Sequence, residues 1–172
     1  QSLSVQVHPD DKYALLHEGE SGKTEMWYVM DATPDATLIY GFTHEISHQE
    51  FERRIKDNTL LEVCNQVPIK KGDVFFIEAG TLHAIGAGAL IAEIQQSSNS
   101  TYRVYDYGRV GKDGKLRELH IEKALAVTKL EPPTRKPEPI AKLTAFADYD
   151  LTILAQCKLF NVSHFDLHGN CS

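Results

Sequence analysis

The chain has 172 residues, and 18 basic against 24 acidic side chains give it a formal net charge of −6. That length supports one well-buried core, or one core with a small appendage. The acidic balance argues against general nucleic-acid binding, whose affinity comes from cationic neutralisation of phosphates, and no apolar run approaches the ~20 residues of a membrane-crossing helix; neither nucleic acid nor a membrane is an expected partner.

Apolar residues recur mostly with period two, the signature of strands. The pattern predicts strands over 3–8, 24–30, 36–41, 73–78, 88–96, 101–107 and 158–166, separated by turn signals such as Pro34-Asp35, Lys71-Gly72-Asp73 and Asp113-Gly114. Two helices interrupt them. Ser47-His48-Gln49-Glu50 has the spacing of a capping box, and Phe51 and Ile55 then share one face. Arg117 to Thr128 places His120, Ile121, Ala124 and Leu125 at helical spacing. Four of the seven prolines fall between Glu131 and Pro139. Such a run lacks backbone donors and favours extended backbone, so it reads as a linker or a surface crossing.

The expected division is a β-rich unit over 1–130, a proline-rich segment over 131–139 and a second β element over 140–172. Many short, evenly spaced strands indicate a sandwich or barrel. The sequence opens on Gln1 already inside an alternating stretch, and a second alternating stretch ends just short of Gly169; it reads as an internal stretch of a longer polypeptide. Cys64, Cys157 and Cys171 are odd in number, widely spaced and free of any C-x-x-C pairing, which fits a reduced, cytoplasmic protein.

Four polar residues stand out. Gln6 and His8 are two apart in a strand and share a face, while Val5 and Val7 occupy the other. Alone, that pair fits a half-solvated strand better than a ligand pair. Glu25 shares a face with Trp27 and Val29, and a carboxylate among such neighbours needs a cation or hydrogen-bond donors. Lys23, on the same face, could supply a salt bridge, and a metal ion would serve equally. His83 follows Gly80 at a sharp turn and could equally be a core or capping histidine. Taken together, Gln6, His8, Glu25 and His83 offer two imidazoles, a carboxylate and an amide oxygen. Two His and one Glu form a known ligand set for catalytic zinc, and the same types suit Mn, Fe or Co.

Downstream, Glu93 shares a face with Ile91 and Gln95, and Arg103 lies beside Tyr105 and Tyr107, with Arg109 in the next turn. An arginine in an aromatic strand often only stacks on tyrosine; its functional reading is a permanent cation for an anionic substrate or transition state.

Ser4-Val5-Gln6-Val7-His8-Pro9-Asp10-Asp11, Gly22-Lys23-Thr24-Glu25-Met26-Trp27-Tyr28, Gly80-Thr81-Leu82-His83-Ala84, the stretch Gln95 to Tyr107 and Arg117 to Ala124 together resemble type I mannose-6-phosphate isomerase, particularly its compact Gram-positive bacterial form. The resemblance runs in order from residue 1 to about residue 130. It implies a mainly β cupin fold, a jelly-roll β-barrel with a few short helices, followed by the start of a second cupin-like β element. The general second cupin motif aligns with Gly72, Gly80 and His83, with Glu78 standing where proline is usual.

Carried over position by position, the family's metal ligands fall on Gln6, His8, Glu25 and His83, and its catalytic arginine on Arg103. Its substrate-pocket Ser, Lys and Glu fall on Ser4, Lys23 and Glu93, and Arg109 lies where a basic phosphate contact is expected. Family members carry a further segment before the Gln-x-His strand, with at least one pocket lysine, and complete a second barrel beyond the last residue here. The resemblance therefore implies a catalytic domain over 1–130 without its N-terminal part, and a truncated second domain over 140–172.

The reaction implied is reversible interconversion of D-mannose 6-phosphate and D-fructose 6-phosphate through a metal-assisted enediol. One Zn2+ per chain and a small phosphosugar are the expected cofactor and partner, the oligomeric state is left open, and the general base is open between Glu93 and a water. Two other classes compete. A non-catalytic sugar-binding or regulatory metal cupin would have no task for Arg103 and Glu93. Another metal cupin enzyme, such as an oxygenase, tends to use His-x-His where this chain has Gln6-Val7-His8.

Overall fold

The computed structural model describes residues 2–111, 113–143, 146 and 148–168. Strands β1 (Val5–Val7), β3 (Thr37–Phe42), β4 (Cys64–Pro68), β6 (His83–Ile85) and β8 (Tyr102–Tyr105) make one sheet, in the order β4-β3-β6-β1-β8. Strands β2 (Glu25–Ala32), β5 (Val74–Ile77) and β7 (Ala89–Gln95) make a second, in the order β5-β2-β7. The pairings are antiparallel and mostly join strands distant in sequence. This is the jelly-roll arrangement of a cupin, as the resemblance implies. A third antiparallel sheet follows, built from β9 (Ala141–Leu143), β10 (Tyr149–Gln156) and β11 (Asn161–Leu167) in the order β11-β10-β9.

Alternation along each strand sorts the core into three layers. Val5, Val7, Phe42, Leu82, Ala84 and Val104 leave the five-stranded sheet on its outer side and pack against helices α2 (His48–Lys56) and α3 (Ile121–Val127), through Phe51, Ile55 and Ala124. Between the sheets, Trp27, Val29, Phe75 and Ile77 meet Leu38 and Tyr40. On the far side of the three-stranded sheet, Met26, Val74 and Phe76 pack against Leu154 and Ala155 of β10. Burying large apolar side chains from water in each layer is what drives the layers together.

The predicted cap of α2 is present: the Ser47 hydroxyl accepts from the Glu50 N–H at 3.1 Å. The last helix is shorter than the 117–128 pattern predicts. His120 N–H donates to the Arg103 carbonyl at 2.8 Å and its Nδ1 accepts from Arg103 N–H at 3.1 Å, so residues before Ile121 are tied to β8 instead of to a helix. Helix α1 (Asp11–His17) was not signalled by periodicity, since Leu15 and Leu16 are 70% and 78% exposed and only Ala14 is buried.

The proline-rich segment crosses the barrel surface. Arg135 lies over the Phe76 ring at 4.1 Å, and Pro133 occupies the space a side chain on Gly41, at φ +67°, would need. Glu78, the departure from the cupin motif, pairs with Lys129 at 2.8 Å and Arg135 at 3.6 Å, anchoring this crossing. The Cys64 thiol is buried, Cys157 is half-buried and neither is in a disulfide, while Cys171 lies outside the described residues. No helix among the described residues is long and apolar enough to cross a membrane.

Candidate metal centre

Strand alternation carries three of the four nominated ligands to one place between the sheets. With Val5 and Val7 committed to the helix-side core, Gln6 faces inward, and His8 follows immediately after β1. With Met26 packed on the outer side of β2, Glu25 and Trp27 face inward. His83 arrives from a turn at Gly80, whose φ of +88° suits glycine and whose N–H donates to the His8 carbonyl at 2.8 Å. Register then places His83 and Arg103 on either side of Gln6, and Glu93 beside Trp27.

The side chains converge. Glu25 Oε2 lies 3.5 Å from His8 Nε2, and Oε1 lies 3.4 Å from His83 Nε2. The Gln6 amide nitrogen is 3.4 Å from His83 Nε2, and a half-turn of that amide brings its oxygen to the same point. One ligand atom from each of His8, Glu25 and His83 falls within 4.8 Å of the others, and all three residues are buried.

Both imidazoles are set in the same tautomer. His8 Nδ1 donates to the Ser100 carbonyl at 2.9 Å and His83 Nδ1 to the Thr81 carbonyl at 2.8 Å. A proton fixed on Nδ1 leaves Nε2 as a bare lone pair, the form that binds metals. His8 Nε2 and both Glu25 oxygens are buried without a hydrogen-bond partner. Such atoms are costly unless something else satisfies them. Lys23 Nζ forms the anticipated ion pair with Glu25 Oε2 at 3.3 Å, but one ammonium does not reach the three orphaned atoms together. Two nitrogen lone pairs, a carboxylate and an amide within one buried cluster fit a divalent cation with zinc-type ligands.

The electrostatics follow from burial and these neighbours. Burial works to raise the Glu25 carboxyl, but the imidazolium forms of His8 and His83 together with Lys23 outweigh it and hold it at about 2. Burial, helped by His8, pushes His83 down to about 4, with Glu25 opposing. Burial raises Glu93, and the charge of Glu25 adds to the effect.

A pH dependence results for the metal-free chain. Unfolded His83 takes up a proton near its ordinary 6.5, while folded His83 resists until about 4. The unfolded state therefore binds more protons in that window, and stability falls as pH drops through it. Urea unfolding of the chelator-treated chain should show its midpoint decreasing from pH 7 to pH 4. An unchanged midpoint would contradict the buried, neutral His83.

Of the remaining nominated residues, Lys23 touches the cluster through Glu25, and Glu93 lies next to Lys23. Glu93 Oε2 accepts from the Trp27 indole N–H at 3.1 Å, its Oε1 is 4.0 Å from Lys23 Nζ, and its side chain is 36% exposed. Arg103 donates from Nε to the Ser4 hydroxyl at 3.3 Å and from Nη1 to the Glu118 carbonyl at 3.0 Å. Arg109 is engaged within the chain: Nη2 with Asp106 Oδ1, Nε with the Asp106 carbonyl and Nη1 with the Ser2 carbonyl. Asp106 also draws in Arg117 at 3.4 Å. Reading the sequence missed Asp106, Glu118 and His120 as supports of the arginines. The last two sit inside the Arg117–Ala124 motif, where only helical spacing was read.

No family model matches the chain. It is 43% identical over 173 aligned positions to the mannose-6-phosphate isomerase ManA of Bacillus subtilis, covering 100% of this chain and 54% of that protein. A mannose-6-phosphate isomerase of Streptococcus mutans is 42% identical over 169 positions, covering 98% of this chain and 52% of the relative. The crystal structure of the mannose 6-phosphate isomerase from Bacillus subtilis superposes with a TM-score of 0.88 at 37% identity, over 98% of this chain and 53% of that one. The chain thus spans about half the length of the curated relatives it matches. Sequence over 100% of this chain and backbone over 98% of it agree, and on both it belongs to the mannose-6-phosphate isomerase family.

Proposed function

We propose that the polypeptide to which this chain belongs interconverts D-mannose 6-phosphate and D-fructose 6-phosphate, with one Zn2+ held by Gln6, His8, Glu25 and His83. The observation that carries this reading is the buried cluster of unpartnered donor atoms, with both imidazoles fixed in the metal-binding tautomer. When bound, zinc would act as a Lewis acid toward the sugar's carbonyl and hydroxyl oxygens.

The reaction moves a proton between C2 and C1 of the open-chain sugar while negative charge develops on the neighbouring oxygens. Glu93 holds that proton in this proposal, supported by burial and the Glu25 charge, which raise its affinity for it, and by the Trp27 indole, which donates to it at 3.1 Å. Arg103 supplies the permanent cation beside those oxygens. Its Nε and Nη1 are already aligned by Ser4 and Glu118, so little reordering is needed when charge appears. Lys23 sits between Glu25 and Glu93 and offsets part of the repulsion between the two carboxylates. Ser4 and Arg109 complete the polar lining for the phosphosugar, Arg109 as a preset cation held by Asp106 and Ser2. A merely sugar-binding protein would not require both the raised carboxyl of Glu93 and an aligned Arg103.

The test is phosphosugar isomerisation by the purified chain, first after chelation and then with zinc restored. Conversion that disappears with the chelator and returns with zinc is the expected result. Zinc binding without conversion would restrict the reading to the site and place the activity in the longer polypeptide. Absence of both would overturn it.

A further inference from the structure

Ser100 holds His8 through a carbonyl that belongs to no strand. It lies in the irregular stretch between β7 and β8, where residues 96–101 make no ladder pairing. What fixes that carbonyl is a set of side chains. The Ser98 hydroxyl accepts from the Ser100 N–H at 3.2 Å. Glu20, in the loop between α1 and β2, does the rest: its Oε1 accepts from the Ser100 hydroxyl at 2.6 Å and its Oε2 from the Asn99 N–H at 3.2 Å. The carboxylate thus grips two consecutive residues, and the second of them carries the acceptor for His8 Nδ1.

We infer that Glu20 is a positioning residue for the metal centre, acting on His8 through Ser100. This rests on the metal reading above and adds a residue outside the ligand set. The chain of contacts is continuous, from Glu20 Oε1 to the Ser100 hydroxyl, then from the Ser100 carbonyl to His8 Nδ1. Its outer link is charge-assisted and short, the stronger class of hydrogen bond. Its inner link decides which imidazole nitrogen stays bare. The two hydrogen bonds also lower the Glu20 carboxyl, so it remains an anion at neutral pH. Glu18 provides an internal comparison. It clasps the same neighbourhood, accepting from the Tyr102 hydroxyl and from Lys123 Nζ, each at 2.7 Å, but neither contact leads to His8.

The experiment uses the full 172-residue chain and two readouts. Zinc affinity is measured by competition with a chromophoric chelator, and the His8 tautomer of the metal-free chain by long-range 1H–15N correlation. Glu20→Ala should weaken zinc binding roughly tenfold, at the lower end of what losing a supporting group costs, and should mix the His8 tautomers. Ser100→Ala, which keeps the carbonyl and removes only the hydroxyl, should do the same and serves if Glu20→Ala fails to fold. Glu20→Gln keeps an acceptor for Ser100 and should restore much of the loss. Glu18→Ala should leave both readouts near wild type. An unchanged tautomer and affinity in Glu20→Ala and Ser100→Ala would overturn the inference. So would an equal loss in Glu18→Ala, which would make Glu20 an ordinary loop clasp. If the wild-type chain binds no zinc, the metal reading fails, and the tautomer measurement still decides the role of Glu20.

Discussion

Replacing His83 by alanine should lower zinc affinity by more than about a hundredfold, beyond the 10–100-fold that loss of a supporting group costs. The imidazole is fully buried and its Nε2 faces Glu25 Oε1 at 3.4 Å. Removal also strands the Thr81 carbonyl that its Nδ1–H satisfies. The measurement is zinc content per chain after gel filtration against a competing chelator. The same variant should lose the acid sensitivity of the metal-free protein between pH 7 and pH 4, because the group that resists protonation is gone. Retention of one zinc per chain would remove His83 from the ligand set. A pH profile unchanged from wild type would show that another group carries the acid sensitivity.

Replacing Arg103 by alanine should reduce kcat about 10²–10³-fold while zinc content stays at the wild-type level. Register sets this residue opposite Gln6, and its head group contacts Ser4 and Glu118 and none of His8, Glu25 and His83. Burial lowers its guanidinium somewhat, and the nearby Arg117 and Arg109 add to the effect. Asp106, which pairs with Arg109 and Arg117, and Glu118 oppose that effect. Arg103→Lys should recover little, since an ammonium cannot replace the two fork contacts with Ser4 and Glu118 at once. Steady-state kinetics paired with metal analysis separates the cases. An intact kcat would leave Arg103 as packing, and lost zinc would make it a structural support of the cluster.

The parts of the fold that were legible are those whose signal is local. Period two in Leu3 to His8 and in Thr24 to Met30 put Gln6 with His8 and Glu25 with Trp27 on shared strand faces, and the structure buries His8, Glu25 and Trp27. Ser47 and Glu50 likewise announced α2. A three-residue strand such as β6 has no period to read. In β10 Leu151, Ile153, Leu154 and Ala155 are all at least half-buried, so apolar residues fall on both faces and alternation is lost. The start of α3 was misread because a long-range bond, His120 to Arg103, outweighs the local helical pattern.

The site divides along the same line. His83 was found through its turn and motif, not through periodicity. Arg109 was recognisable as a cation, but its engagement by Asp106 depends on a turn geometry that residue types do not encode. The grip of Glu20 on Ser100 spans 80 positions and leaves no local trace.

Strand β2 is shared by two tenants. One side carries Glu25 and Trp27, and the other carries Met26, against Leu154 and Ala155, and Tyr28, stacked 5.5 Å from the His164 ring. Between the two sides there is only the thickness of one peptide backbone, and a shift that relieves crowding on one is felt in full on the other. The β10–β11 hairpin is thereby a silent stakeholder in chemistry it never touches. A change of side-chain volume at 154, 155 or 164 presses on the strand that carries Glu25. Suppressors of a faulty Glu25 environment belong on that outer face as much as among the ligands.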